Sequence, residues 1–428
     1  MHRRRSFQNV RLWQQSMGLA LLTTLLVGSL LVLTSCGNAD NTNAGDKTST
    51  AIPTSTSTPQ VTGDKTPVPN RDLASIHMIN ATTGWAFTRP HLYAKGSYVL
   101  HTTDGGMHWK DVTPKYATAQ QSDEGISTEF LTASIAWVAT TRHALFHTID
   151  GGQTWQKTAV GPADEASQAS QITFINPSDG WILFSTSDTG GQGDSIDIFR
   201  TTDGGMTWTH VSSTGTSASP GTVASHPPLG GTKWGLSFLD ASTGWATYQY
   251  TGTNNPIQFY VTHDGGSTWT QQTLPQPFPS KPFATLPPTF FSAQDGVLPV
   301  LLFNSQNEEG IDLYVTHNGG ASWSSRAFLS TSLYLSAGLN ATISTIEFID
   351  MSHGWIVNDQ GKLLYATNDG GQHWTAISPG TNFESVFCIS FVSSALGWAL
   401  DRSANSSSPL IKTEDGGHTW KPVIFVVS

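Results

Sequence analysis

Short apolar or alternating stretches recur along residues 71–428. They read SIHMI from Ser75, STEFL from Ser127, QITFI from Gln171, GLSFL from Gly235, TFFSA from Thr289, TIEFI from Thr345 and CISFV from Cys388. Each is too short for a helix, and its period fits a strand. A turn and a second short apolar run follow each time. In six copies that run opens at a Trp: TTGWAF at Thr82, SIAWVA at Ser134, SDGWIL at Ser178, STGWAT at Ser242, SHGWIV at Ser352 and ALGWAL at Ala395. The remaining copy, QDGVLP from Gln294, has Val297 where the others have Trp.

A second phrase closes each unit. It begins at Thr102 (TTDGGMHW), Thr148 (TIDGGQTW), Thr201 (TTDGGMTW), Thr262 (THDGGSTW), Thr316 (THNGGASW), Thr367 (TNDGGQHW) and Thr413 (TEDGGHTW). The intervals are 46, 53, 61, 54, 51 and 46 residues. Thr, both Gly and Trp never vary, and the acid is Asn318 in the fifth copy only. Asp-Gly between apolar stretches is a hairpin signal. Each unit therefore predicts four strands, A to D, with the Asp-Gly-Gly turn between C and D. Four strands repeating about every fifty residues predict a propeller blade. The expected fold is all-β: a seven-bladed β-propeller of four-stranded antiparallel blades, spanning 71–428. Radial closure also removes the long exposed edges of so β-rich a chain.

The closing phrase resembles the Asp-box, Ser/Thr-x-Asp-x-Gly-x-x-Trp, of the bacterial neuraminidase (BNR) repeat. Together with the GW phrase it is most similar to BNR propellers of the photosystem II stability and assembly factor type. That resemblance covers essentially the whole body. It implies a seven-bladed, exported, membrane-associated protein that is not an enzyme.

The seven box positions, Asp104, Asp150, Asp203, Asp264, Asn318, Asp369 and Asp415, read as structural. A turn carboxylate accepts bonds from nearby backbone N–H groups, and the Gly pair permits positive φ. Asn318 keeps the acceptor but weakens any metal or general-acid role, so no metal and no cofactor are expected. The GW indoles Trp85, Trp137, Trp181, Trp245, Trp355 and Trp398 read as core residues.

Charge and composition narrow the partners. The chain has 21 Lys+Arg against 31 Asp+Glu. Four of those Arg lie in the first 35 residues, leaving 17 basic residues against 31 acidic ones beyond them. So acidic a body does not fit a nucleic-acid binder, which needs positive potential over its footprint. Met1 to Arg11 is basic, Gly18 to Leu33 is apolar, and Leu33-Thr34-Ser35-Cys36 resembles the lipobox of bacterial lipoprotein signals. That resemblance implies a signal peptide over 1–35, lipidation of Cys36 and a lipid anchor at the extracytoplasmic face of a bacterial membrane. Residues 36–70, rich in Ser, Thr, Pro and Asn, read as a disordered tether. Cys388, in an apolar run, reads as a buried small residue.

A–B and C–D turns must share one face of a propeller. The irregular B–C and D–A connections share the other, where recognition is expected. Arg89, Arg142 and Arg402 follow strand B in blades 1, 2 and 7, which are neighbours once a ring closes. An Arg cluster on an acidic body suggests an anionic partner site. The resemblance adds an arginine patch characteristic of the family, and these three residues are the candidates for it. Arg200, just before a box, is the less suitable fourth.

The alternative is an extracytoplasmic glycan-binding or sialidase-like glycoside hydrolase. The sialidase resemblance asks for an Arg triad, a Tyr nucleophile with a Glu partner, an Asp acid and a Phe/Tyr-Arg-Ile-Pro phrase. Phe87-Thr88-Arg89-Pro90 is a distant echo, with Tyr93 and Tyr98 following and no Glu in evident register. Asp123–Glu124 and Glu308–Glu309 are loop acids that read as solvated. His101 and His147, equivalent positions in successive blades, read as packing residues rather than ligands. The sequence thus favours a monomeric, membrane-anchored binding scaffold whose partner is a membrane protein or its exported segment.

Overall fold

A computed structural model describes residues 73–88, 97–115, 125–141, 143–161, 168–186, 195–214, 232–249, 259–275, 281–303, 309–331, 346–357, 363–380, 383, 385–401 and 409–428. The leader, Cys36, the tether, and Arg89, Arg142 and Arg402 lie outside the described residues. So do Tyr93, Asp123, Glu124 and Glu308.

The described chain folds into a seven-bladed β-propeller of antiparallel blades. Blade 1 runs through Leu73–Met78, Gly84–Thr88, Val99–Thr102 and His108–Asp111, paired in that order. Blade 2 follows over Gly125–Phe130, Ala136–Thr140, Ala144–Thr148 and Gln156–Ala159, and blade 3 over Gln168–Phe174, Gly180–Thr186, Ser195–Thr201 and Thr209–Ser213. Blade 4 comprises Thr232–Phe238, Gly244–Gln249, Phe259–Thr262 and Thr270–Gln271. Blade 6 comprises Ile346–Phe348, Gly354–Val357, Leu364–Thr367 and Thr375–Ile377, and blade 7 Val386–Phe391, Gly397–Asp401, Leu410–Thr413 and Lys421–Pro422.

Blade 5 is the irregular one. Its strand A is split into Lys281–Thr285 and Thr289–Phe290, and both halves pair with Gly296–Phe303. Pro287-Pro288 lies in the gap, where a ring nitrogen has no proton to give the ladder. The first half also touches blade 4 through the pair Gln249↔Ala284, joining two blades into one sheet. Strands Glu309–Thr316 and Ser324–Ser330 complete the blade.

Burial explains why the hydrophobic pattern alternates so weakly. Strand B of blades 1, 2, 6 and 7 is buried at every position. Such a strand is covered on both faces by the adjoining blades, so it reads as a continuous apolar run. Strand D is outermost and mostly solvated, as in Gln156–Ala159 and Thr270–Gln271. Cys388 is 1% exposed, between blades 7 and 1, and its thiol points at the Ile76 carbonyl at 3.9 Å.

One element was not expected. The last residues do not extend blade 7. Val426–Val427 crosses to blade 1 and pairs in parallel with its outermost strand, Val426 opposite His108 and Val427 opposite Trp109. Val426 N–H donates to the Met107 carbonyl at 3.0 Å, and Ser428 N–H to the Trp109 carbonyl at 2.9 Å. The C-terminus therefore latches the ring where its two ends meet.

Candidate functional site

The face that carries the Asp-boxes is built from two turns per blade. In all seven blades the first box Gly donates its N–H to a carbonyl of the A–B turn. The pairs are Gly105 to Thr82, Gly151 to Ser134, Gly204 to Ser178, Gly265 to Ser242, Gly319 to Gln294, Gly370 to Ser352 and Gly416 to Ala395, at 2.7 to 3.0 Å. A–B and C–D turns thus lie side by side on one face.

Within each box the side chains close a local network. Thr148 Oγ1 donates to Asp150 Oδ1 at 2.8 Å and accepts the N–H of Gly152 at 2.9 Å. Asp150 Oδ1 also accepts the N–H of Thr154, and Oδ2 accepts the Thr154 hydroxyl at 2.6 Å. The same set recurs at Asp203, Asp264 and Asp415. At Asp104 and Asp369 an imidazole, His108 or His373, replaces the second hydroxyl. Asn318 keeps the pattern with its amide: Oδ1 accepts the Ser322 N–H at 3.0 Å and Nδ2 donates to Ser322 Oγ at 2.8 Å. The Gly pair takes φ of +78° and +93° at Gly105 and Gly106, a region costly for any side chain. Hydrogen bonds from Thr154 hold the Asp150 carboxyl down to about 2, and those from Thr419 do the same at Asp415. A carboxylate so held is a poor proton donor.

The GW indoles stitch one blade to the next. Five of the six donate Nε1–H directly across the seam to a box or turn of the following blade. Trp137 reaches the Gly204 carbonyl and Trp181 the Gly265 carbonyl, both at 2.8 Å. Trp355 reaches Gly416 and Trp398 reaches Gly105, both at 3.0 Å. Trp245 works through a relay: Gln272 Oε1 accepts at 2.9 Å and Gln272 Nε2 donates to Gly320 at 2.7 Å. Trp85 turns instead to the Thr132 carbonyl of blade 2 at 2.8 Å. Val297 brings no donor to the seam between blades 5 and 6.

Five of these indoles stack on the Phe that closes the next strand A, whereas Trp398 packs with Met78. Ring centroids are 3.6 Å apart for Trp137–Phe174 and Trp181–Phe238, and 3.8 Å for Trp355–Phe391. This explains the Gly of GW. Gly180 pairs with Phe174 in the ladder, and a Cβ on it would lie 2.5 Å from the phenyl ring. In blade 2 the position is Ala136, opposite Phe130, where the stacking on Trp85 is looser at 5.2 Å. Burying an indole contributes about 5 kcal/mol and its cross-seam bond about 1 kcal/mol, so packing dominates and the bond sets direction.

The opposite flank of each indole meets strand C. His101 lies 4.4 Å from Trp85 and His147 stacks on Trp137 at 4.8 Å. Burial holds both imidazoles below their ordinary value, so they pack as neutral rings. The Arg200 guanidinium lies 5.5 Å over Trp181, near Asp179 at 3.8 Å, and Lys412 lies 5.5 Å over Trp398. This ladder of basic covers was not foreseen beyond the equivalence of His101 and His147. The signal was present as one position, three residues before the box Asp, but its meaning depends on ladder register. Strand A holds a second unforeseen set: Glu347 accepts the Phe391 N–H at 2.9 Å, and Glu129, 1% exposed, has its carboxyl pushed well up by burial.

Thr88 and Asp401, which precede Arg89 and Arg402 in the chain, end strand B in blades 1 and 7. Blade 2 ends its strand B at Thr140, two residues before Arg142. The strand ends preceding the three Arg therefore belong to three consecutive blades, away from the Asp-box turns.

Two family models match parts of the chain. One, described as sortilin, neurotensin receptor 3, matches residues 97–221, and the other, photosynthesis system II assembly factor YCF48, matches 324–426. The photosystem II assembly lipoprotein Ycf48 of Synechococcus sp. (strain CC9902) is 33% identical over 106 residues, 25% of this chain. The matched stretch spans 29% of that lipoprotein's length. Among solved structures, YCF48 bound to D1 peptide covers 82% of this chain and 95% of its own, at 16% identity and a TM-score of 0.49. A Mycobacterium tuberculosis puromycin-hydrolysing peptidase covers 83% of this chain and 53% of its own, at 11% identity and a TM-score of 0.55, which is a likeness of fold. The chain is thus a seven-bladed β-propeller, and over residues 324–426 its sequence is similar to the photosystem II assembly factor family.

Proposed function

We propose that the protein is a non-enzymatic, membrane-anchored scaffold that holds an exported segment of a membrane protein during assembly. The observation that carries this reading is the 33% identity, over 106 residues, to a photosystem II assembly lipoprotein. The box geometry agrees with it. Six of the seven boxes bear a carboxylate, and each is spent on its own turn rather than presented to a substrate. Cys36 is the proposed lipid attachment, and the extracytoplasmic membrane face the proposed location. Arg89, Arg142 and Arg402 are the proposed anionic contact, away from the boxes. In a photosynthetic host the partner is a photosystem II subunit.

The test is recovery of partners from solubilised host membranes. Full-length protein and a variant with Arg89, Arg142 and Arg402 all changed to Glu serve as paired baits. A defined membrane protein recovered by the first and lost by the second is the expected result. Recovery of no membrane protein, or equal recovery by both baits, overturns the scaffold reading or the Arg site respectively. Turnover of fluorogenic glycosides, abolished by a single carboxylate substitution, would establish the hydrolase alternative instead.

A further inference from the structure

Blade 5 departs from the other six at the acid of its box. Asn318 stands there, and Gly319 follows it. Asn-Gly occurs at this one place in the 428 residues. In this dipeptide the backbone nitrogen of Gly attacks the Asn side-chain carbonyl most readily, because glycine puts no side chain in the path and leaves the backbone free to turn. The attack closes a cyclic imide, a succinimide, which water then opens. The other six boxes present a carboxylate at that point, a far poorer electrophile when ionised.

The closed box holds the two reacting groups apart. The Gly319 N–H, which must lose its proton to attack, donates to the Gln294 carbonyl at 2.8 Å. The Asn318 amide is engaged elsewhere. Its Oδ1 accepts the Thr316 hydroxyl at 2.9 Å and the Ser322 N–H at 3.0 Å, and its Nδ2 donates to Ser322 Oγ at 2.8 Å. Thr316 Oγ1 accepts the Gly320 N–H as well, at 2.9 Å. Turning the amide onto the Gly319 nitrogen breaks all three amide bonds, and freeing that nitrogen breaks a fourth. Reaction therefore requires the turn to open.

The turn of blade 5 also lacks ties that its counterparts have. In blades 3, 4 and 7 the box indole bonds to its own second Gly: Trp208 to Gly205, Trp269 to Gly266 and Trp420 to Gly417, at 2.9 to 3.1 Å. In blade 5 the Gly320 carbonyl accepts Gln272 Nε2 of blade 4 instead. The buried Trp323 Nε1–H has no acceptor among the described residues. Such a donor is a cost that the closed state carries and the open state sheds. Trp109 shares that lack in blade 1, but there the strand Val426–Val427 pairs with its strand from outside. Blade 5 has no such cover among the described strands, and Val297 leaves its seam to blade 6 without a GW indole.

We propose that Asn318 is a self-modification site, which deamidates through a succinimide with Gly319 when the hairpin of Glu309–Thr316 and Ser324–Ser330 opens, and which the closed box keeps unreacted. The bond that forms joins Gly319 N to Asn318 Cγ, and the bond that breaks is Cγ–Nδ2. The Gly319 proton passes to solvent, and the amide nitrogen leaves as ammonia. Water adds to one of the two ring carbonyls, and no oxidant or reductant enters. Addition at Cγ gives aspartate, and addition at the main-chain carbonyl gives isoaspartate. The aspartate product completes a box like that of Asp150, whose Oδ2 accepts the Thr154 hydroxyl where Ser322 Oγ stands in blade 5. The isoaspartate product routes the backbone through Cγ and adds a methylene between Thr316 and Ser322, which the turn does not accommodate. An opening of blade 5 is thus recorded in the chain: one product restores the seventh carboxylate and the other prevents reclosure. This chemistry does not depend on which partner the scaffold holds.

The test uses purified full-length protein held at pH 8 in buffer and in guanidinium chloride. Peptide mapping by mass spectrometry follows the amide-to-acid mass gain at Asn318, and chromatography separates the isoaspartate form. Conversion is expected to be at least about tenfold slower in buffer than in denaturant. Thr316→Val removes the hydroxyl that ties Asn318 and Gly320, so it speeds conversion in buffer about fivefold and leaves the rate in denaturant unchanged. Thr148→Val, the same change in blade 2, leaves the Asn318 rate in buffer unaltered. Should Thr316→Val fail to fold, Ser322→Ala, which removes the acceptor of the Asn318 amide N–H, takes its place with the same direction expected. Absence of conversion in denaturant overturns the chemistry, and equal rates in buffer and denaturant overturn the lock. Equal acceleration by the blade 2 and blade 5 variants overturns opening within blade 5 as the gate.

Discussion

The seam between blades 7 and 1 and the seam between blades 5 and 6 solve the same problem with different means. At the first, Trp398 donates to Gly105, Ser390 Oγ accepts the Met78 N–H at 3.0 Å, and Val426–Val427 pairs with the far edge of blade 1. At the second, Val297 packs with Leu313, Val315 and Phe348, with Trp374 of blade 6 against the same cluster but no indole from the GW position. The ring closes at the first seam, where the two ends of the propeller meet and only the short run into Val426–Val427 crosses. The second joins blades already consecutive in the chain. The difference teaches where specificity is required. A seam between the chain's two ends has to be found through space, and directional bonds with a latch define its register. A seam between sequential blades tolerates the loss of its indole because the linker keeps the partners together.

That contrast yields graded predictions. The largest effect is expected from Trp398→Leu, which removes indole burial and the Gly105 bond together. It should cost about 3 to 4 kcal/mol by denaturant unfolding, whereas Val297→Ala at the other seam should cost about 2 kcal/mol. Gly180→Ala comes next. Its methyl would press on the Phe174 ring stacked against Trp137, and a loss of about 2 kcal/mol is expected from overpacking. The reciprocal Ala136→Gly in blade 2, where the stacking is looser, should cost less than 1 kcal/mol.

The smallest effect concerns acid. Asp150, Asp369 and Asp415 are held down to about 2 by hydrogen bonds from the turn they close. A lowered folded value means that these bonds stabilise the fold above the ordinary carboxylate range near 4, and that the contribution fades as pH falls towards 2. Asn318 has no such titration. Asp369→Asn should therefore flatten the loss of stability between pH 4 and 2, and Asn318→Asp should steepen it. Unfolding midpoints measured at those two pH values decide the sign.

Much of the architecture was legible because each blade repeats its own punctuation. The Asp-Gly-Gly turn and the GW phrase mark strands C, D and B by position, and seven copies fix the blade number. What escaped depended on partners far away in sequence. Val426–Val427 follows Pro422 closely enough to read as more of strand D, and only pairing with His108 and Trp109 reveals it as a latch. The Gly of GW is explained by Phe174 and its kin, six residues back and stacked on another blade. The covers His101, His147, Arg200 and Lys412 are scattered among different residue types, so no motif joins them. Arg89, Arg142 and Arg402 lie outside the described residues.

The central structural claim is that the ring is stitched by GW indoles and is weakest where Val297 replaces one. Native-state hydrogen exchange read by mass spectrometry tests it most directly. The account predicts that, as denaturant rises, amides of Gly296–Phe303 and Ile346–Phe348 lose protection at a lower concentration than those of Leu73–Met78 and Gly397–Asp401. Earlier exchange at the closing seam between blades 7 and 1, or simultaneous exchange at both, would contradict it.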